Sequence, residues 1–169
     1  MYTRRGSNSM DEFIRTLDGR IQSMAAAHSL LSQSRWQGVE LSGLVRHQLA
    51  PYATDANITI DGPHVMLSAA ATQAVATVIH ELVTNAAKYG ALSTSEGRVS
   101  VSWDRKSGRD APARLTIVWR EVGGPPIVAP IHLGFGTNLI RDLIPHELGG
   151  TVELAFPPEG ANCKFEFPL

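Results

Sequence analysis

Disulfides, membrane spans and a dominant charge are all missing from this sequence. It has one cysteine, Cys163, so no intramolecular disulfide can form, and the lone thiol fits a reducing, cytoplasmic compartment. No apolar run approaches the roughly 18 residues of a membrane span, and nothing at the start reads as a secretory signal. Fifteen Lys and Arg against 16 Asp and Glu give a formal net charge of −1. Without a basic stripe there is no electrostatic footprint for nucleic acid. Internal repeats and low-complexity segments are absent as well. What remains is 169 residues with 43% hydrophobic content, enough for one domain of about 120 residues plus a helical segment.

The apolar spacing divides the chain. Ile14, Leu17, Ile21, Met24, His28 and Leu31 follow one another at three and four, the pattern of a bundle seam over a helix at 10–33, and Ser9 with Glu12 forms a capping box. Little more than two heptads follow, short of an independent coiled coil, so partner helices must cover the seam. Beyond Trp36-Gln37-Gly38 the pattern predicts a helix over 42–50 stopped by Pro51 and a short strand near 58–60. A long helix over 68–89, strands near 98–104 and 114–120, a helix over 137–148 and strands near 151–156 and 162–168 complete the chain. Pro145 is expected to bend or shorten the last helix. These elements make a mixed sheet with helices on one face, and a divide at residue 50 separates a helical arm, 1–50, from a domain, 51–169.

Residues 80–90 carry the most chemistry. With 3.6 residues per turn, Glu81, Asn85 and Lys88 share one helix face, Thr77 extends the stripe, and Ala71, Val75, Val78, Ile79, Leu82, Val83 and Ala86 form the opposite, core-facing side. Ser68 reads as the N-cap, and Gly90 stands where a left-handed residue is expected to close the helix. A carboxylate, a carboxamide and an ammonium on one face suit a metal-bound phosphate, although a solvated polar face has the same pattern. His80 and Glu81 do not begin a zinc motif, because Thr84 occupies the place of its second histidine.

Two further segments bear on that stripe. In the first, Trp119-Arg120-Glu121-Val122-Gly123-Gly124-Pro125, an acid ends a strand and two glycines follow, an arrangement that lets a flat ligand approach and that also occurs in ordinary turns. In the second, Gly134-Phe135-Gly136-Thr137 runs into a helix, where bare amide groups at the start attract anions. It has neither P-loop spacing nor a GxGxxG fingerprint.

Together and in this order the segments resemble the ATP-binding domain of sensor histidine kinases, and most closely the HWE family. That family's nucleotide helix, His-Glu-Leu-x-Thr-Asn-Ala-x-Lys-Tyr-Gly-Ala-Leu, reads here as His80 to Leu92, and its Trp-x-Glu reads as Trp119-Arg120-Glu121. Gly-Phe-Gly-Thr at 134–137, Leu148-Gly149-Gly150 and Gly160-Ala161-Asn162-Cys163 continue the match, which covers nearly everything from about Asp11 onward. The resemblance implies a two-layer α/β sandwich of the GHKL (Bergerat) type with an N-terminal helical arm. It makes Asn85 a ligand of Mg2+ on ATP, Lys88 a phosphate-facing charge, Tyr89 a pocket wall and Glu121 the reader of the adenine amine. Gly123, Gly124, Gly134 and Gly136 would shape a lid, Thr137 would join the nucleotide contacts, and Glu81 would be the general base beside His80, a characteristic residue of the site. The arm resembles the second helix of a dimerisation and phosphotransfer bundle, with His28 inside an Ala-x-His-x-Leu-Leu pattern and the phosphate-accepting histidine on a preceding helix outside this chain. The whole protein is then expected to be a homodimer that passes phosphate to the aspartate of a response-regulator receiver domain. The competing readings are a non-catalytic regulator of the same fold and an anti-sigma-type serine kinase; intact Glu81, Asn85 and Lys88 stand against the first.

Overall fold

The computed structural model describes residues 38–54, 57–107, 112–127 and 135–169, with Ile14, Ile21, Ala25, Ser29 and Ser32 as isolated helical positions before them. The expected Ser9–Glu12 cap and the seam residues Leu17, Met24, His28 and Leu31 lie outside the described residues, as does Gly134. Ile14 and Ile21 are 53% and 57% exposed.

Strand β1 (Val39–Glu40) leads into helix α1 (Leu41–Leu49), followed by β2 (Ile58–Asp61), β3 (Met66–Leu67) and the long helix α2 (Ala69–Tyr89). Then come β4 (Arg98–Lys106), β5 (Arg114–Val122), helix α3 (Phe135–Leu148), β6 (Thr151–Ala155) and β7 (Asn162–Pro168). Five strands form one sheet in the order β2-β4-β5-β7-β6, with β2 parallel to β4 and every other neighbour antiparallel. β1 and β3 form a separate antiparallel pair.

Alternation builds the inner face. Val99, Val101 and Trp103 on β4, Leu115, Ile117 and Trp119 on β5, and Cys163, Phe165 and Phe167 on β7 are all buried beneath the helices. The thiol of Cys163 is pushed up to about 12 by burial, so it behaves as a small apolar group. α2 lays Val75, Val78, Ile79, Leu82, Val83 and Ala86 into the core, and its start is capped by Ser68 Oγ, which accepts from the Ala71 N–H at 3.3 Å.

Three expectations need correction. Leu41, Leu44, Val45 and Leu49 of α1 are buried in the same core as α2, so residues 41–49 belong with the sandwich rather than with an arm. Gly90 has φ −116°, outside the left-handed region; it is glycine because a β-carbon there would strike Glu121 Oε2. Pro145 does not shorten α3, which continues to Leu148 and closes through Gly149 at φ 60°, whose N–H donates to the Pro145 carbonyl at 3.2 Å.

Candidate functional site

α2 carries the polar stripe, and the elements at either end of the stripe decide how deep each side chain sits. Glu81 is 6% exposed, Asn85 is half-buried, and Lys88 is exposed. Glu81 is covered because Gly136, the second residue of α3, approaches so closely that a β-carbon there would collide with Oε2. The carboxylate therefore lies against the first turn of a helix, where unpaired N–H groups and the helix dipole favour negative charge. Thr137, the next residue, is buried too.

At the other end, the turn after α2 meets the end of β5. Glu121 is 3% exposed, on the same strand face as Trp119. Its Oε2 accepts the Ala91 N–H at 2.9 Å, and its Oε1 accepts the Trp119 indole N–H at 3.0 Å. Burial pushes the Glu121 carboxyl above its usual range, while the Ala91 and Trp119 donors pull it back. Gly123 holds φ 75°, and a β-carbon on Gly124 would lie 2.8 Å from the Ala91 nitrogen. Thr94 Oγ1 donates to the Gly123 carbonyl at 2.9 Å. A side chain at Gly124 would thus strike the backbone of Gly90 and Ala91.

The three sequence segments accordingly converge on one helix. Glu81 marks contact with the start of α3 and Gly90 marks contact with the glycine turn, about 13 Å apart along the axis at 1.5 Å per residue. Between them Asn85 and Lys88 open outward, and Tyr89 is 67% exposed. His80 is half-buried on the flank of the stripe; burial, and then the charge of Lys88, holds its pKa below the ordinary 6.5, so the imidazole is neutral at pH 7.

Sequence reasoning singled out the side chains but overlooked the Ala91 N–H and the indole of Trp119 as partners of Glu121. The signal was present: with a period of two, Glu121 must share the inward face of Trp119. Among the described residues no three His, Cys, Asp or Glu side chains cluster. A hard cation that keeps its waters and takes most of its oxygens from phosphates fits the carboxamide of Asn85; an all-protein cage does not.

The sheet with its helices on one face makes a two-layer α/β sandwich, the fold of histidine kinase catalytic domains. The histidine kinase domain of the Erythrobacter litoralis EL346 blue-light-activated histidine kinase matches with a TM-score of 0.68, at 13% identity, over 91% of this chain and 75% of that one. The mycobacterial sensor histidine kinase MprB matches with a TM-score of 0.55, at 16% identity, over 78% of this chain and 96% of that one.

The family model of the HWE histidine kinases matches residues 1–64. A blue-light-activated histidine kinase of Rhizobium johnstonii is 34% identical over 166 residues, 97% of this chain and 47% of that protein. Blue-light-activated histidine kinase 1 of Erythrobacter litoralis is 34% identical over 175 residues, 99% of this chain and again 47% of that protein. The chain thus spans about half the length of these curated relatives. No helix among the described residues is long and apolar enough to cross a membrane.

Proposed function

We propose that this chain is the ATP-binding, catalytic part of a sensor histidine kinase, transferring the terminal phosphoryl group of Mg-ATP to a histidine outside the chain. The acceptor lies on a dimerisation helix of the same protein, and a receiver-domain aspartate takes the phosphate next. The observation that carries this reading is the graded stripe of α2: acid buried against a helix start, carboxamide half-open, ammonium exposed. In phosphoryl transfer the imidazole nitrogen forms a bond to the γ-phosphorus as the bond to the ADP oxygen breaks, and the nitrogen's proton must leave. Glu81 is the group that accepts or orients that proton, with neutral His80 beside it able to donate or accept a hydrogen bond. Asn85 would hold Mg2+, which neutralises phosphate charge when bound. Lys88 would face the phosphates, Tyr89 would line the pocket, and Gly123, Gly136 and Thr137 would border it.

The domain divide belongs ahead of Val39 in this reading, because α1 is built into the sandwich. Residues before it form the arm that docks on partner helices in a homodimer, consistent with the exposed Ile14 and Ile21. The test is nucleotide titration of the chain and of Asn85→Ala, with and without Mg2+. The expected result is Mg-dependent ATP binding that the variant loses by at least tenfold, and equal affinity in both proteins rejects the assignment.

A further inference from the structure

Glu121 is expected from resemblance to read the adenine amine, yet its surroundings describe another task. Strand alternation turns it inward with Leu115, Ile117 and Trp119, and 3% of it is exposed. Each carboxylate oxygen already takes one N–H, from Ala91 and from the indole of Trp119. An arriving exocyclic amine would have to share an oxygen so engaged. The indole nitrogen is a donor only, so it fixes Oε1 and aims Oε2 at the turn. Ala91 follows directly on α2 and Gly90, and its buried N–H would be costly to leave without an acceptor. The neighbourhood is shaped to this contact: a side chain at Gly90 would displace Oε2, and one at Gly124 would strike the backbone of Gly90 and Ala91.

We infer that Glu121 is a positioning residue, a clamp that with Trp119 ties the Gly90–Ala91 turn to the end of β5 and so sets where Asn85, Lys88 and Tyr89 stand relative to the glycine turn. The clamp rests on the nucleotide-site reading for its purpose, and on the two hydrogen bonds for its existence. A reader of adenine discriminates between bases. A clamp changes the affinity of every nucleotide that uses the site by the same factor.

Binding of ATP and of inosine triphosphate, which has a carbonyl oxygen in place of the amine, separates the two in the unmodified chain, Trp119→Phe, Glu121→Gln and Gly90→Ala. Trp119→Phe keeps a buried aromatic ring and removes only the indole donor; Gly90→Ala leaves ring and acid chemically unaltered and displaces Oε2. All three variants are expected to weaken both nucleotides by a common factor, roughly three- to tenfold, leaving the ratio of the two affinities as in the unmodified chain. The Trp119 indole N–H resonance, in an 15N-labelled sample without nucleotide, should shift in Gly90→Ala and Glu121→Gln, a signature that general loosening of the fold would not confine to this proton. Circular dichroism identifies any variant that fails to fold, and Gly90→Ala then carries the comparison in place of Trp119→Phe. The clamp is overturned if Glu121→Gln lowers ATP affinity selectively while Trp119→Phe binds ATP normally, or if the indole resonance ignores both acid and glycine variants. Failure of the unmodified chain to bind either nucleotide overturns the functional reading and the clamp's purpose together, whereas a shifted indole resonance in that case still identifies the two hydrogen bonds.

Discussion

Gly136 lies so close to Glu81 that no β-carbon fits between the start of α3 and Oε2. A glycine there reads at first as a bare-backbone phosphate cradle, and the structure adds a second reason, the carboxylate fifty-five places nearer the start of the chain.

Gly136→Ala is therefore expected to push Glu81 aside or open the contact of α2 with α3. Overpacking of this kind costs about 1–3 kcal/mol. Urea unfolding should show the loss, and phosphoryl transfer to a supplied dimerisation helix should fall further than stability alone accounts for. Full transfer by a destabilised variant would mean that the placement of Glu81 is irrelevant to chemistry.

Leu44 is fully buried between α1 and the rest of the core. Leu44→Ala should destabilise the sandwich by about 2–5 kcal/mol, the range for emptying a packed leucine site. A dispensable arm helix would show almost no change in the urea midpoint.

His80 makes stability depend on acid. Burial, assisted by Lys88, lowers its folded-state pKa below 6.5, so the folded form prefers the neutral imidazole. The unfolded chain then binds more protons just below pH 6.5, and stability is full above that value and falls as the pH drops through the folded pKa. His80→Gln should flatten this part of the stability profile; an unchanged slope between pH 6.5 and 5 would assign it to other groups.

Cys163 offers a clean probe of opening. With its thiol buried and pushed up to about 12, native protein at pH 8 should resist alkylation by iodoacetamide. Labelling should appear only as the sheet unfolds, with the same urea midpoint as circular dichroism. Rapid labelling without denaturant would show that β7 is readily exposed.

Much of the architecture was readable because the period of the apolar residues is long enough to count. α2 shows its core stripe and Ser68 cap over twenty-one residues, and the nine-residue strands β4 and β5 alternate throughout. β1 and β3 were not readable, since two residues carry no period and the pair exists only because tertiary contacts bring Val39 to Leu67. The surface that α1 covers is not legible for a related reason: Leu41, Leu44, Val45 and Leu49 specify an amphipathic helix without saying what lies against it.

The site was half legible. The co-facial Glu81, Asn85 and Lys88 follow from helix geometry alone, and the structure grades their depth. The reason for Gly90 sits thirty-one residues away in Glu121, and no local rule of helix ends contains that information. The inward aim of Glu121 was available from strand alternation; the attraction of an acid beside two glycines concealed it.

The clamp on Ala91 also has a consequence for timing. The acceptor for that amide is synthesised thirty residues after it, and the neighbour of Glu81 later still. A nascent chain that has just completed α2 owns the polar side chains but neither fastening, and such distant pairings form late because loop closure must precede them. Under the proposed function, a nucleotide would meet the fastened polar face only in the finished sandwich.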